Sequence, residues 1–242
     1  MVLYKRRSSL NKIHLFFFSG ILSASFLSCA PQLQITSKPI HLVNNISTDS
    51  DLSNFIRPYS DEMDIQMNIK IAESKNNFIV ARPGSNLMNW MADAVFSHQT
   101  KNKRLSQPTF CLLNTGGIRS SIGKGEVKLK DIYKVMPFDN TIVWVKLPVA
   151  TLDKISAYLN KSGGEPISNI QMRAGKLIFN TSVETDFFWV ITSNYLYQGG
   201  DHMDFFKESI EVIETKTLIR DALVEEAKLQ EVLINDTTIR IQ

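Results

Sequence analysis

Residues 114–141 collect side chains with binding chemistry in one short span, NTGGIRSSIGKGEVKLKDIYKVMPFDNT. A plain strand–turn–strand unit needs only the glycines. This span also carries the amide of Asn114, the guanidinium of Arg119 and the ring of Phe138. The planar fork of arginine suits a pair of phosphate oxygens, and an aromatic ring can stack on a flat ligand. Together these residue types favour a site for something flat and charged.

The first thirty residues have the pattern of a secretory signal. A basic start precedes an apolar run over residues 13–27, which is short for a membrane span. The run ends in Phe-Leu-Ser-Cys at residues 26–29, which resembles a bacterial lipobox with Phe in place of the usual Leu. We therefore predict a lipoprotein signal peptide over residues 1–28 and lipid attachment to Cys29. Plain secretion and an uncleaved anchor are the alternatives.

Composition argues against a nucleic-acid partner. The 242 residues carry a formal charge of +3, and 43% of them are hydrophobic, as in a globular protein. Loss of residues 1–28 removes no acidic residue but removes Lys5, Arg6, Arg7 and Lys12, so 27 basic residues become 23 against 24 acidic ones. The formal charge is then −1, which leaves no basic footprint for nucleic acid.

The cysteine count predicts no disulfide framework. Cys29 and Cys111 are the two cysteines of the sequence, and lipid on Cys29 would leave Cys111 without a partner in the chain. Cys111 stands in the apolar run 110–113, so we expect a buried, unreactive thiol.

Apolar periodicity predicts one domain over residues 55–242, preceded by a polar tether over residues 29–54. A helix is expected over residues 55–74, where the apolar stripe is Ile56, Tyr59, Met63, Met67 and Ile71. A second helix is expected after Ser85, which can cap it. Apolar runs rich in β-branched and aromatic residues predict strands at 109–113, 141–147 and 187–192, and helical stretches are predicted at 130–135, 151–160 and 217–229. Because helices and strands interleave without a regular βαβ repeat, the predicted fold class is α+β, with a mixed β-sheet and flanking helices.

Four segments in the same order resemble the C-terminal domain of the 5′-nucleotidases and UDP-sugar hydrolases. They are FIRPYSDEMDIQMN at 55–68, SNLMNWMADAVF at 85–96, the span from residue 114 through the Pro-Phe-Asp-Asn turn, and SNYLYQGGDHMDFF at 193–206. In that family this domain holds the nucleoside end of the substrate, while a separate di-metal phosphoesterase domain hydrolyses the phosphate. The resemblance therefore implies a substrate-recognition domain.

The resemblance implies a role for each matching residue. Phe138 and Tyr195 would stack on the two faces of the base, and Asp201 would accept hydrogen bonds from the ribose hydroxyls. Asn114 would contact the base, and Arg119 would reach ribose or phosphate. The glycines would let backbone amides approach the ligand; they are Gly116, Gly117, Gly199 and Gly200.

Two positions depart from the family pattern. Where the family usually has a further arginine before Ser-Asn-Leu, this chain has Ala81, and Arg82 is a phosphate-contact candidate only from the next position. The second stacking residue is Tyr195 rather than phenylalanine, which keeps the ring. Other interpretations are that Phe138 and Tyr195 are ordinary core aromatics and that Arg119 pairs with a surface carboxylate.

The sequence shows no motif of the family's di-metal phosphoesterase domain. A di-metal centre needs several histidines and carboxylates, but there is no Asn-His-Glu, and the four histidines, His14, His41, His98 and His202, are scattered. Adjacent Asp201 and His202 are a poor metal pair, so we predict no metal, no cofactor and no catalytic residue on this chain.

These observations lead to a function prediction with alternatives. The leading hypothesis is a nucleotide-recognition lipoprotein subunit of a split 5′-nucleotidase-type hydrolase in nucleotide catabolism, with the di-metal phosphoesterase on another chain. The chain alone would then be inactive. A second hypothesis is a noncatalytic nucleoside- or nucleotide-binding lipoprotein for scavenging or sensing, and a third is a scaffold without a ligand. The expected location is the bacterial cell envelope, anchored to the membrane by lipid and facing the periplasm, since no acidic run follows Cys29.

Overall fold

The computed structural model describes residues 50–179 and 185–242. The predicted signal peptide, the lipidation site Cys29 and residues 29–49 of the predicted tether lie outside the described residues. Within them, no helix combines the length and the apolar character needed to cross a membrane.

The first helix and the first strand differ from the sequence prediction. Helix α1 spans Ser50–Met67, so it begins five residues before the predicted start at Phe55, and strand β1 spans Lys70–Ser74. The side-chain amide of Asn68 donates to the carbonyl of Asp64 and satisfies the end of the helix. The prediction of one helix through residue 74 is therefore wrong at its end. Ile71 belongs to a buried strand position instead of the helical stripe.

A five-stranded mixed sheet forms the centre of the domain. Its order is β5-β2-β8-β4-β9, in which β2 and β8 are parallel and the other neighbours are antiparallel. The strands are β2 (Thr109–Leu112), β4 (Thr141–Pro148), β5 (Ile167–Ser168), β8 (Phe187–Ser193) and β9 (Glu211–Leu218). The three apolar runs named from the sequence form β2, β4 and β8. The predicted fold class, α+β with a mixed sheet and flanking helices, is confirmed.

Alternate residues of the strands enter two separate hydrophobic cores. Cys111 and Ile191 face a core built with helices α2 (Asn86–Thr100) and α6 (Ile219–Gln230). Phe110 and Val190 face the opposite core, which includes helix α4 (Leu152–Ser162). The sheet is thus covered on both sides. Cys111 is fully buried as predicted, and burial raises the pKa of its thiol well above the usual value.

The remaining elements are short and link the layers. They are β3 (Gly125–Lys128), which pairs with β1, the hairpin of β6 (Ile170–Arg173) and β7 (Lys176–Phe179), and helices α3 (Leu129–Val135) and α5 (Asn194–Tyr197). The hydroxyl of Ser85 accepts a hydrogen bond from the amide of Met88, which confirms the predicted cap of α2.

Candidate functional site

The sheet brings three chain segments together where its central strands end. Strands β2 and β8 run parallel and end there, at Leu112 and Ser193. Strand β4 begins at the same end of the sheet, because Ile142 pairs with Ser193. Asn114 follows β2, Tyr195 follows β8, and Phe138 precedes β4 in the sequence. The side-chain oxygen of Asn194 accepts from the amide of Thr141, which ties two of the segments together. Residues that are far apart in sequence therefore meet because of strand order.

A cavity of about 360 Å³ lies between these segments. Seven of the site residues predicted from the sequence line this cavity, and Asn140 is an eighth lining residue that was not predicted. The lining residues are Asn114, Gly116, Gly117, Arg119, Phe138, Asn140, Tyr195 and Asp201. The volume is in the range of small-ligand sites. Phe138 and Tyr195 are 39% and 43% exposed, so neither is an ordinary core aromatic and each ring has surface available to a ligand.

Asp201 is the most connected polar residue of the cavity. One carboxylate oxygen accepts from the side-chain amide of Asn114 at 2.6 Å, and the other accepts from the hydroxyl of Tyr195 at 2.9 Å. The backbone carbonyl of Asp201 accepts from the hydroxyl of Tyr158 at 3.1 Å. The carboxylate therefore has a fixed orientation before any ligand arrives.

Two pairs of glycines allow this close arrangement. A Cβ on Gly117 would lie 2.9 Å from the amide oxygen of Asn114, and a Cβ on Gly200 would lie 2.5 Å from the ring of Tyr195. Gly199 has a φ of 93° and Asp201 has a φ of 52°, so the chain turns through left-handed backbone at this loop. Glycine and aspartate are among the residues that tolerate such conformations. The turn directs the Asp201 carboxylate towards Asn114.

Arg119 and Phe138 form the opposite side of the cavity. The guanidinium carbon of Arg119 is 5.9 Å from the centre of the Phe138 ring, within the range of a cation–π contact. The neighbouring Asp139 pairs with Arg220 at 2.7 Å, which fixes the loop that carries Phe138 to helix α6. Arg119 also donates to the carbonyl of Gly116 at 3.4 Å and has no carboxylate partner among the ion pairs of residues 50–179 and 185–242. Its charge is therefore available to an anionic ligand.

Arg82 lies apart from the cavity-lining residues. Its guanidinium pairs with Glu165 at 2.7 Å and also donates to the carbonyl of Ser162. Glu165 is 4% exposed, and its other oxygen accepts from both the amide and the hydroxyl of Thr115 at 2.6 Å each. Arg82 therefore neutralises a buried carboxylate that holds the loop after Asn114. A phosphate contact from Arg82 stays a prediction. In this structure Arg82 stabilises the loop after Asn114 through Glu165.

The sequence reasoning missed three residues around the cavity. Asn140 lines it and closes the Pro-Phe-Asp-Asn motif, which was the available signal. Glu165 and Tyr158 lie in helix α4 or the segment after it, where no motif marks them. Burial raises the pKa of Tyr158 to about 12, with the nearby charges of Glu165 and Asp201 adding to the effect. The hydrogen bond to Asp201 raises the pKa of the Tyr195 hydroxyl above its ordinary value.

Metal-ligating residues do not converge in the part of the chain that the structure describes. There, no group of three or more His, Cys, Asp or Glu side chains could hold a metal ion. His202 follows Asp201 in a turn but is not among the residues that line the cavity.

Comparisons with known proteins agree with this architecture. A family model described as the 5′-nucleotidase C-terminal domain matches residues 70–155. A 5′-nucleotidase of Vibrio vulnificus is 30% identical over 138 residues, which cover 55% of this chain and 23% of the relative. The match thus spans about a quarter of the length of that relative.

Solved structures show the same fold. A 5′-nucleotidase precursor from Thermus thermophilus has a TM-score of 0.63 and 24% identity, and the match covers 78% of this chain and 42% of that one. The NAD nucleotidase of Haemophilus influenzae has a TM-score of 0.59 and 16% identity, covering 80% and 41% respectively. The family model, the relatives and the fold agree that this chain is similar to the 5′-nucleotidase C-terminal domain, with the family match over residues 70–155.

Proposed function

We propose that this chain is the nucleotide-recognition component of a 5′-nucleotidase-type hydrolase whose di-metal phosphoesterase centre is carried by a separate chain. The observation that supports recognition is the convergence of two exposed rings, a carboxylate, an amide and an arginine on one cavity. A base would lie between Phe138 and Tyr195, its ribose would reach Asp201, and Arg119 would face the phosphate side.

The exposed side of helix α1 supports a protein partner. Phe55, Ile56, Tyr59 and Met63 are 70%, 48%, 66% and 61% exposed on successive turns. A contiguous apolar stripe of this kind is typical of a surface that another protein covers. In this proposal the catalytic chain docks near this helix and supplies the metal centre that the described residues of this chain do not assemble.

Nucleotide binding tests the recognition half of the proposal. We expect AMP, adenosine or UDP-glucose to bind with a Kd of about 1 mM, near −4 kcal/mol, because the cavity is open on one side. Phe138→Ala should lower the affinity about 5- to 150-fold, since one stacking face is worth roughly 1–3 kcal/mol. Calorimetry or ligand-observed NMR measures both quantities.

Phe55→Ala is the control, because it removes an exposed phenylalanine ring from helix α1, outside the cavity lining. It should bind nucleotides like the unmodified protein. If none of the three ligands binds, with or without a candidate phosphoesterase, the recognition role is wrong and a scaffold role takes its place.

The proposal includes membrane anchoring through lipid on Cys29, with the domain facing the periplasm. The support is the order of basic, apolar and small residues before that cysteine. Mass spectrometry of the mature protein should find a diacylglyceryl group on Cys29, and Cys29→Ser should release the protein from membranes. An unmodified mature N-terminus would refute the anchor and leave the binding proposal intact.

A further inference from the structure

The hydroxyl of Tyr195 has a function that stacking alone does not require. Stacking uses the ring, but this hydroxyl donates to one oxygen of the Asp201 carboxylate at 2.9 Å. The side-chain amide of Asn114 donates to the other oxygen at 2.6 Å. One donor on each oxygen prevents the carboxylate from rotating about its last side-chain bond.

The backbone around this contact fixes the donor as well as the acceptor. The ring of Tyr195 lies against Gly200, so closely that a Cβ there would stand 2.5–2.7 Å from three ring atoms. On the other side of the turn, Tyr158 holds the backbone carbonyl of Asp201. Both partners of the hydrogen bond are thus positioned by their own surroundings, and the bond does not depend on a bound ligand.

The remaining acceptor capacity of Asp201 matches one kind of ligand group. An ionised carboxylate offers about four lone-pair sites, two on each oxygen. Asn114 and Tyr195 occupy one site on each oxygen, which leaves one open site on each. Asp201 is exposed and lines the cavity, so its carboxylate is accessible to a ligand. Two neighbouring hydroxyls on one sugar ring present two donors side by side and fill these sites.

From this geometry we infer that the Tyr195 hydroxyl is a specificity-determining group that holds Asp201 in the orientation required for a cis-vicinal diol. The inference rests on the proposed nucleotide site and names its preferred ligands: nucleosides with both ribose hydroxyls free. Sugars that lack either hydroxyl, or carry a substituent on one, lose the paired contact. Tyr195 acts here as a positioning residue, since its effect on the sugar passes through Asp201.

The test is the affinity of Tyr195→Phe for adenosine and for 2′,3′-dideoxyadenosine, with uridine and its dideoxy analogue as a second pair. This substitution keeps the stacking ring and removes only the donor. Loss of one intramolecular hydrogen bond of typical strength should lower adenosine affinity about 3- to 10-fold. The dideoxy compound should bind the variant and the unmodified protein equally. Tyr197→Phe, on the same short helix but outside the cavity lining, is the matched control and should change neither affinity.

A double-mutant cycle with Asp201→Asn checks that the hydroxyl acts through Asp201. Tyr195→Phe should cause no further loss of adenosine affinity once Asp201 is changed. Equal losses for adenosine and dideoxyadenosine would overturn the inference, as would a gain in adenosine affinity, which would make the hydroxyl a competitor of the diol. If the unmodified protein binds the ribo and dideoxy compounds equally, the inference fails while the nucleotide site stands. If it binds neither pair, the proposed function fails with it.

Discussion

Asp201 has its position because three residues donate to it, two of them from distant parts of the chain. Asn114 and Tyr195 hold the side chain, and Tyr158 holds the backbone carbonyl. Asn114 and Tyr195 both lie against glycines, at distances that an added Cβ would not permit. The conformation of the site therefore depends on glycines as much as on the residues that would touch a ligand.

Gly200→Ala tests this dependence on close approach. The added Cβ would lie 2.5 Å from the Tyr195 ring, well inside the usual contact distance, so the ring has to move out of its stacking position. We expect nucleotide affinity to fall by up to the value of one stack, roughly 1–3 kcal/mol, and calorimetry measures the loss.

Gly123→Ala is its control, because a Cβ at Gly123 meets nothing within 4 Å. That variant should bind nucleotides normally and unfold at the same temperature as the unmodified protein. Binding by Gly200→Ala at the unmodified affinity would refute the idea that this glycine sets the position of the ring.

Most lining residues were predictable, since they stand in motifs whose order in the chain matches a known family. Asn114, Phe138, Tyr195 and Asp201 were named from the sequence, and the structure brings them together. Arg82 was predicted to contact phosphate because it lies shortly before the Ser-Asn-Leu motif. Its observed partner, the buried Glu165, is 83 residues away and has no motif of its own. A pairing of that range depends on tertiary structure, which local spacing does not encode.

At the scale of elements, the strands with long apolar runs were predictable, whereas the short strands and the exposed β9 were not. Strands β2, β4 and β8 lie within the sheet and read as continuous apolar runs. Strand β9 is one of the two edge strands of the five-stranded sheet. Its sequence, EVIETKTL, mixes charged and apolar residues because several of its positions face solvent. It is a strand because β4 pairs with it along its length, which is a long-range effect.

The sequence predicted the apolar stripe of the first helix, but in the structure this stripe does not pack into the core. Helix α1 has no buried residue, although its apolar side chains recur at helical spacing. Periodicity predicts that a helix has an apolar face, and it does not say what covers that face. Strand β1 follows within three residues; Ile71 and Ala72 are buried there, and Ala72 pairs with Val127 of β3. The short connection lies at Asn68, which caps the helix.

At the scale of the whole molecule, the proposed function places recognition and chemistry on separate chains. The cavity residues come from segments that meet at one end of strands β2, β4 and β8, all within this domain. The match to the Vibrio vulnificus 5′-nucleotidase covers 23% of that protein, so most of the relative has no counterpart in the aligned region. A hydrolase built from two chains and a binding protein that acts alone both fit a recognition domain of this kind. They differ in what happens when a phosphoesterase is added.

Phosphate release from AMP separates these two functions. The purified chain should release no phosphate from AMP with added Mn²⁺ or Zn²⁺, because its described residues gather no group of metal-ligating side chains. A secreted di-metal phosphoesterase that lacks this domain, preferably from a neighbouring gene, should hydrolyse AMP faster when the chain is added. Phe138→Ala should reduce that stimulation, since the base would lose one stacking face, whereas Gly123→Ala should not.

Metal-dependent turnover by an uncontaminated preparation of the chain alone would contradict the proposal that catalysis belongs to a separate chain. Binding without stimulation of any such enzyme would instead favour the scavenging or sensing role, because the recognition site would then work without a catalytic partner.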